Sequence, residues 1–329
     1  MIVNADVVVG LQYGDEAKGK VTHHLCKSKK YTHVLRFNGG CNAGHTIYHE
    51  GNKFVTHHIP AGVFFGIKSI IGSGCVVNID QFFSEIEGLK SAGLDIEGKI
   101  FIAKNAHVIT DSHISEENSE SSIGTTKRGN GPAYRDKYAR TGKRAEEVSE
   151  LEDYLIDLYD EFHTDQPVNI LCEGAQGFGL DIDFGNYPYV TSSHCTTAGA
   201  LLNAIPHDRI GDVWGVAKVY ETYVGSKKFE PDDIVFDQIR EAGEEYGATT
   251  GRPRQCNWLD LDFLQKAINI NGVTKLVLNK TDVLREIGIW KLVTDERTVA
   301  FDGEAEMNSF IEDRLALRDI YFSDDKNRI

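Results

Sequence analysis

The chain alternates short apolar runs with longer stretches whose apolar residues recur at helical spacing. The apolar runs predict strands at residues 7–9, 31–37, 70–77, 99–103, 168–172, 213–219 and 276–279. The helical spacing predicts helices at residues 18–27, 81–92 and 146–162, whereas the acidic, serine-rich segment 115–122 predicts an exposed loop. This pattern is typical of an α/β fold with a mostly parallel central sheet flanked by helices. Because no linker divides the chain, we expect a single large domain over residues 1–329.

Composition narrows the classes of function. The chain has 329 residues, 41% of them hydrophobic, and a formal net charge of −15, which disfavours binding to the phosphates of nucleic acid. Six cysteines lie scattered without a C-x-x-C pair, as in a reduced intracellular protein. We find neither a signal sequence nor an apolar run of about 18 residues. We therefore expect a cytoplasmic protein that binds neither membranes nor nucleic acid and whose basic clusters serve small anionic ligands.

The stretch from Val7 to Lys20 is the strongest candidate for chemistry. A buried strand gives way to glycines, acids and lysines at the start of a helix, which is typical of a phosphate-binding loop. The spacing differs from the Walker A motif, because Gly14 is followed by Asp15 rather than by Gly-Lys-Ser or Gly-Lys-Thr. A carboxylate beside phosphates requires a cation or a proton in transfer between them. Asp15 is therefore expected to react with the substrate, to hold Mg²⁺, or both.

Further polar loops contain residues that could bind phosphate, carboxylate or guanine groups. His45 ends a glycine-rich turn and could donate to a phosphoryl oxygen, and residues 123–140 combine hydroxyls and cations as in a second phosphate site. Arg252 and Arg254 suit bidentate capture of the carboxylates of a small diacid. At a strand end, Asp282 could accept from N1–H and the 2-amino group of guanine.

Six of these stretches, in order, resemble the adenylosuccinate synthetase family. They are residues 12–20, 42–46, 123–126, 173–177, 187–193 and 248–254, and the resemblance extends over nearly the whole length of the chain. The resemblance implies a fold related to P-loop proteins. It also implies a GTP- and Mg²⁺-dependent ligase that condenses L-aspartate with C6 of a 6-oxopurine 5′-monophosphate through a 6-phosphoryl intermediate.

The resemblance also implies a role for each matching residue. Asp15, His45, Lys18 and Gln176 would be catalytic, and Asp15 with the backbone of Gly44 would hold Mg²⁺. The nucleotide monophosphate would be bound by Asn42, Thr125, Thr126, Arg140, Gln176, Thr191 and Val224, with Arg140 acting across the interface of a homodimer. Aspartate would be bound by Thr249, Thr250, Arg252 and Arg254. GTP would be bound by Gly14, Glu16, Ala17, Lys18, Gly19, Lys20, Gly44, Thr46, Asn279, Lys280 and Asp282.

Departures from the family pattern bear on the acceptor. Tyr13 stands for the usual Trp, Ala17 for the usual Gly, and residues 223–231 replace the loop beside the ribose in cellular enzymes. These features resemble phage relatives of the compact archaeal branch, which act on dGMP to make the precursor of diaminopurine DNA. Against this resemblance, phage enzymes of the better-known type tend to lose the Asp at position 15, whereas this chain keeps Asp15. The Asn-Lys-Thr-Asp motif is of the guanine type, which favours GTP over ATP or dATP. We expect dGMP as acceptor in a host cytoplasm, with IMP as the alternative.

An alternative hypothesis from another functional class is that the chain is a GTP-binding regulatory protein that recognises guanine through residues 279–282. It predicts GTP binding that does not depend on aspartate. That hypothesis leaves Asp15, Gln176 and the two arginines of residues 252–254 without a task.

Overall fold

The computed structural model describes residues 1–28, 30–119, 125–247, 251–325 and 329. Its strands are β1 (Ile2–Gly10), β2 (His33–Arg36), β3 (His45–His49), β4 (Asn52–Thr56), β5 (Lys68–Ile71), β6 (Val76–Asn78), β7 (Ile100–Ala103), β8 (His107–Ile109), β9 (Leu155–Ile156), β10 (Val168–Glu173), β11 (Ile210–Lys218), β12 (Tyr220–Tyr223), β13 (Gln255–Asp260), β14 (Lys275–Asn279), β15 (Trp290–Thr294), β16 (Arg297–Phe301) and β17 (Asp319–Ser323). Its α-helices are α1 (Lys18–Cys26), α2 (Ile79–Ser91), α3 (Asp111–Ser119), α4 (Asn130–Ala139), α5 (Leu158–Phe162), α6 (Thr197–Leu201), α7 (Val235–Ala242), α8 (Leu261–Asn271), α9 (Thr281–Ile287) and α10 (Glu304–Leu315).

A nine-stranded sheet forms the centre of the fold. Its strand order is β17, β14, β11, β1, β10, β2, β5, β7, β9, and every neighbouring pair is parallel. Val7, Val8 and Val9 of β1 are fully buried, as expected of a central strand covered on both faces. The α/β fold with a parallel central sheet is therefore confirmed, while the domain bounds 1–329 stay a prediction.

Smaller sheets extend this core. Strands β12, β13, β15 and β16 form a mixed four-stranded sheet, β3 and β4 form an antiparallel hairpin, and β6 pairs with β8. Among the described residues, none of the helices has the length and apolar character needed to cross a membrane.

The parallel sheet gathers polar strand ends at one edge. Glu173 at the end of β10 pairs in register with Arg36 at the end of β2. Asn279 at the end of β14 lies between Lys218 of β11 and Ser323 of β17. Since ligands of open α/β sheets bind at the carboxyl ends of the strands, this edge is where a site is expected.

Three local predictions were wrong. The strand predicted at 70–77, which contains glycines, is divided into β5 of the central sheet and β6, which pairs with β8. Residues 146–162 do not form one helix: they form 3₁₀ turns at Ala145–Glu147 and Ser149–Tyr154, edge strand β9 and the short helix α5. The Asp157 side chain caps α5 by accepting from the Tyr159 and Asp160 amides, which starts a new helix there.

Residues 115–119 of the predicted loop belong to helix α3, and residues 120–122 lie outside the described residues. Glu117 in α3 is buried because its Oε2 accepts from the Gly129 amide at 2.6 Å. The carboxylate therefore anchors the next segment rather than facing solvent.

Candidate active site

The loop between β1 and α1 is held by a buried carboxylate. Glu16 Oε1 accepts from the amides of Gln12 (3.1 Å) and Gly14 (2.8 Å), and its Oε2 lies 2.6 Å from Lys18 Nζ. Asp15 adopts a left-handed backbone conformation with a φ of 60°. The fully buried Glu16 thus supports the loop from beneath, while Asp15 faces outward.

This loop borders a cavity of about 540 Å³ at the carboxyl edge of the sheet. Most residues singled out from the sequence line it: Gly14, Asp15, Ala17, Lys18, Gly19, Lys20, Asn42, Gly44, His45, Thr46, Thr125, Thr126, Gln176, Thr191, Val224, Arg252, Arg254, Asn279, Lys280 and Asp282. Glu16 and the exposed Arg140 do not line it, and Thr249 and Thr250 lie outside the described residues. The structure therefore brings segments from the whole chain to one cavity.

Asp15 is linked to a buried charge network through Arg254. Arg254 Nε lies 3.0 Å from Asp15 Oδ2, and its NH1 lies 2.6 Å from Glu245 Oε2. Glu245 Oε1 also pairs with Lys218 Nζ at 3.0 Å and accepts from the Tyr220 hydroxyl at 2.6 Å. Burial opposes ionisation of Glu245, but Lys218 and Arg254 outweigh it and lower its pKa to about 2. This network fixes the Arg254 guanidinium beside Asp15.

His45 belongs to a second buried network. Its Nδ1 lies 2.5 Å from Glu173 Oε1, and its Nε2 lies 2.7 Å from Arg36 NH1. Burial, with the charge of Arg36, lowers the pKa of His45 to about 4. Burial opposes ionisation of Glu173, but Arg36 and His45 outweigh it and lower its pKa to about 2. The ring is therefore neutral, with Nδ1–H donating to Glu173 and Nε2 accepting from Arg36.

Gln176 faces the cavity from the loop after β10. Its Nε2 donates to Asn42 Oδ1 at 2.9 Å, and its Oε1 accepts from Asn38 Nδ2 at 3.3 Å. Asn38 Oδ1 in turn accepts from the Ala175 amide at 2.8 Å. These contacts join two polar loops that are far apart in the sequence.

The end of β14 supports the first helix. Lys20 Nζ donates to Asn279 Oδ1 (2.5 Å), Ser323 Oγ (2.8 Å) and the Asp325 carbonyl (3.0 Å). Burial lowers the pKa of Lys20 to about 8. Asn279 Nδ2 donates to the Glu16 carbonyl at 2.8 Å, whereas the exposed Asp282 lines the cavity. Asn279 thus braces the first loop, and Asp282 offers its carboxylate to the cavity.

Tyr13 packs into an aromatic wall of the cavity. Its ring lies parallel to that of Phe263, with centroids 5.4 Å apart, and edge-on to that of Tyr223 at 5.9 Å. Tyr223 and Val224 line the same cavity. The residues that depart from the family pattern therefore shape this wall.

The residues present fit a magnesium ion. Mg²⁺ prefers oxygen ligands and is usually held by one or two carboxylates together with substrate phosphates. The Asp15 side chain is 37% exposed, and Asp15 and Gly44 border the same cavity. The carboxylate and a backbone carbonyl would supply such oxygens.

Sequence reasoning did not assign roles to Arg36, Glu173, Lys218 or Glu245. Three of them sit at the ends of predicted apolar strands, where a charged residue interrupts a buried run. That position was the available signal, since a charge buried at a strand end must be paired. Glu245 lies in an irregular segment and carried no such signal.

Comparison with known proteins agrees with this geometry. The profile of the family described as adenylosuccinate synthetase matches residues 7–166 and 148–317. The adenylosuccinate synthetase of Bacteroides fragilis is 40% identical over 334 residues, which cover 86% of this chain and 78% of that protein. That of Thermodesulfovibrio yellowstonii is 40% identical over 338 residues, which cover 87% and 79%.

Two solved structures share the fold. A fully ligated adenylosuccinate synthetase from Plasmodium falciparum has a TM-score of 0.87 and 28% identity, covering 98% of each chain. The cyanophage S-2L succinoaminodeoxyadenylate synthetase, bound to dGMP and dATP as an energy donor, has a TM-score of 0.72 and 24% identity, covering 96% of this chain and all of that one. At that identity the phage enzyme supports the fold alone. The profile and the curated relatives place this chain in the adenylosuccinate synthetase family of carbon–nitrogen ligases.

Proposed function

We propose that this ligase joins the amino group of L-aspartate to C6 of dGMP, with GTP as phosphoryl donor and Mg²⁺ bound. The observation that carries the proposal is the ion pair between Asp15 and Arg254 in the cavity that Gln176 and His45 also line. A candidate base, a candidate carboxylate clamp and a candidate purine contact thus share one cavity.

In the first step, Asp15 accepts the N1 proton of the purine, and the 6-oxygen attacks the γ-phosphorus of GTP, so that GDP leaves. His45 would stabilise the phosphoryl group in transfer. Glu173 holds the Nδ1–H of His45, so an anionic oxygen at Nε2 would displace Arg36 and favour the protonated ring. Bound Mg²⁺ supplies charge neutralisation for the phosphate oxygens. Lys18, now paired with Glu16, would contribute a further cation.

In the second step, the aspartate nitrogen attacks C6 and inorganic phosphate leaves. Arg252 and Arg254 would bind the carboxylates of aspartate and thereby raise its effective concentration beside C6. We expect Thr249 and Thr250 to add hydroxyl contacts to the same amino acid.

The choice of dGMP rests on the chemistry of Asp15 and on the altered wall of the cavity. A carboxylate facing the N1 edge can accept from both N1–H and the 2-amino group of guanine. Tyr13 and Tyr223 replace residues of the pattern of cellular enzymes, and together with Val224 they would lie near the sugar. The cyanophage enzyme of the same fold binds dGMP. Thr125, Thr126, Thr191 and Asn42 would hold the 5′-phosphate, with Arg140 arriving from the partner of a homodimer.

The choice of GTP rests on Asp282. Its carboxylate borders the cavity at the start of α9, where it could accept from the two donors on the guanine edge. Adenine presents a single amino donor at a different position, so that ATP or dATP would pair less well there. Lys280 would cover the base with its alkyl stem.

IMP is the second candidate acceptor. It is favoured by the curated relatives, which are named adenylosuccinate synthetase and are 40% identical to this chain. An IMP acceptor would require the same proton transfer to Asp15.

The test is phosphate release from GTP, Mg²⁺ and L-aspartate with dGMP, IMP or GMP. We expect release with dGMP to exceed release with IMP by at least about tenfold in kcat/KM, since one lost polar contact costs about 1–3 kcal/mol. Brisk release with IMP and none with dGMP would overturn the dGMP assignment. Absence of aspartate-dependent release with every acceptor would overturn the ligase reaction itself.

A further inference from the structure

The segment that follows β12, residues 224–230, belongs to neither a helix nor a strand. We call it the sugar-side loop, since the proposed function puts it beside the sugar of the acceptor nucleotide. In the described part of the chain, none of its residues takes part in a hydrogen bond between two backbone groups. The shape of the loop therefore depends on side chains that reach it from neighbouring elements.

A single side chain, that of Gln255 in β13, binds the backbone of this loop at four points. Its Oε1 accepts from the amides of Phe229 (2.8 Å) and Glu230 (3.2 Å). Its Nε2 donates to the carbonyls of Lys227 (2.8 Å) and Gly225 (3.2 Å). A glutamine amide has two donor hydrogens and two acceptor lone pairs, so the whole hydrogen-bonding capacity of this side chain is used by one loop.

The position of Gln255 follows from the pairing of β12 with β13. Gln255 lies opposite Tyr223, the last residue of β12, at the point where the loop leaves the sheet. Asn257 is two residues further and therefore on the same face of β13, and its Nδ2 donates to the Phe229 carbonyl at 3.1 Å. The preceding residue, Arg254, directs its guanidinium to the buried charge network instead. Two consecutive residues thus contact two different parts of the site.

The sugar-side loop packs against the aromatic wall of the active-site cavity. The Phe229 ring contacts the rings of Tyr13 and Tyr223, with centroids 5.1 and 5.5 Å apart. A Cβ added at Gly225 would lie 2.2 Å from the Tyr223 hydroxyl, so the loop folds closely over that side chain. Tyr13, Tyr223 and Val224 line the cavity. A displacement of the loop would therefore move this wall.

We propose that Gln255 is a positioning residue through which the enzyme selects a 2′-deoxynucleotide over the matching ribonucleotide. The inference rests on the proposed function, because that function brings a nucleotide sugar to this wall. A 2′-hydroxyl held against aromatic and aliphatic groups loses its hydrogen bonds to water, whereas a 2′-methylene group loses none. The wall discriminates only while the loop is fixed, because a displaced loop would admit water to the hydroxyl. Gln255 itself does not line the cavity and would act through the loop.

The experiment compares wild type with Gln255→Leu, whose side chain can make none of the four hydrogen bonds. Phosphate release with GTP, Mg²⁺ and L-aspartate is measured for two acceptor pairs, dGMP with GMP and dIMP with IMP. In wild type we expect kcat/KM for the deoxy member to exceed that for the ribose member by about tenfold or more. In Gln255→Leu this ratio should fall at least about fivefold, through KM of the deoxynucleotide, with kcat within about twofold of wild type. Calorimetric titration with each acceptor gives the corresponding ratio of affinities without turnover.

Amide hydrogen exchange separates a loss of positioning from general destabilisation. The Phe229 and Glu230 amides should exchange at least about tenfold faster in Gln255→Leu, whereas the amides of β12 should exchange as in wild type. Asn257→Ala removes one bond to the loop and should lower the acceptor ratio by less, which keeps the test valid should Gln255→Leu not fold. The matched control is Gln265→Leu, which changes a glutamine of α8 that bonds within its own helix and should leave the ratio unchanged.

An unchanged acceptor ratio in Gln255→Leu and Asn257→Ala would overturn the proposal. So would a wild-type enzyme that binds and uses the ribose member of each pair as well as the deoxy member. Turnover of IMP and dIMP without turnover of dGMP would instead overturn the dGMP assignment in the proposed function, and the ratio of dIMP to IMP would still test Gln255.

Discussion

Asp15 and Arg254 form an ion pair that keeps a negative charge inside the cavity. In the proposed reaction Asp15 accepts a proton, and Arg254 Nε lies 3.0 Å from its carboxylate. Arg254 has a second anionic partner in the buried Glu245, so its guanidinium would remain paired during the proposed proton transfer to Asp15. The Arg254 guanidinium can therefore pair with either Asp15 or Glu245.

Replacing Asp15 by Asn should abolish turnover while leaving nucleotide binding largely intact. The carboxamide is nearly isosteric but cannot accept the N1 proton, so we expect kcat to fall by about 10²–10⁴-fold. Steady-state kinetics and a nucleotide titration measure the two effects separately. Asp208→Asn, which changes an exposed carboxylate outside the cavity, is the matched control. Full activity of Asp15→Asn would remove Asp15 as the base.

At the scale of elements, the first loop depends on close backbone approach from the loop after β10. A Cβ at Gly177 would lie 2.4 Å from Glu16 Oε1 and 2.5 Å from the Gln12 carbonyl. Glu16 and Gln12 belong to the hydrogen-bonded network that supports the Asp15 loop. The loop therefore cannot move aside without breaking the hydrogen bonds of Glu16. Only glycine fits at this position.

Gly177→Ala should therefore lower the free energy of unfolding by about 1–3 kcal/mol, as overpacking does, and should lower kcat as well. The comparison is Gly88→Ala in α2, where nothing lies within 4 Å of the added Cβ. That variant should gain up to about 1 kcal/mol through helix propensity. Denaturant unfolding of both variants measures the contrast, and equal stability of the two would contradict this account.

The elements show what sequence patterns can predict. Six of the seven predicted strands were confirmed, because a buried parallel strand needs a nearly continuous apolar run, as in Val7 to Val9. The helix predicted at 146–162 was wrong because the Asp157 cap and the pairing of β9 with β7 interrupt the helical spacing. The sequence motifs identified the loops that surround the cavity. Tertiary contacts, such as the ion pair between Arg254 and Glu245, depend on packing that no local pattern encodes.

At the scale of the whole molecule, buried histidines make stability depend on pH. Burial, the largest cause in each case, lowers the pKa of His23, His45 and His58 to about 4. The unfolded chain binds protons near pH 6.5 and the folded chain only near pH 4, so stability is full above pH 6.5 and falls as the pH decreases toward 4. The lowered pKa of Glu173 extends the same trend from pH 4.5 toward 2.

We expect the free energy of unfolding to fall between pH 7 and pH 4 by on the order of 1 kcal/mol or more per buried histidine. His58 Nε2 accepts from the Asn78 amide at 3.1 Å, and Gln can accept there without titrating. His58→Gln should therefore show a weaker pH dependence in denaturant unfolding, whereas His207→Gln, at an exposed position, should follow wild type. Identical slopes for both variants would contradict the assignment to His58.

The support of Lys20 by Ser323 and Asp325 links the start of the first helix to residues that lie more than 300 positions later in the chain. A nascent polypeptide lacks this bracing until residue 325 has emerged from the ribosome. Chains that have not reached residue 325 would consequently capture little nucleotide during translation, and competence for turnover would arise in one step when β17 docks.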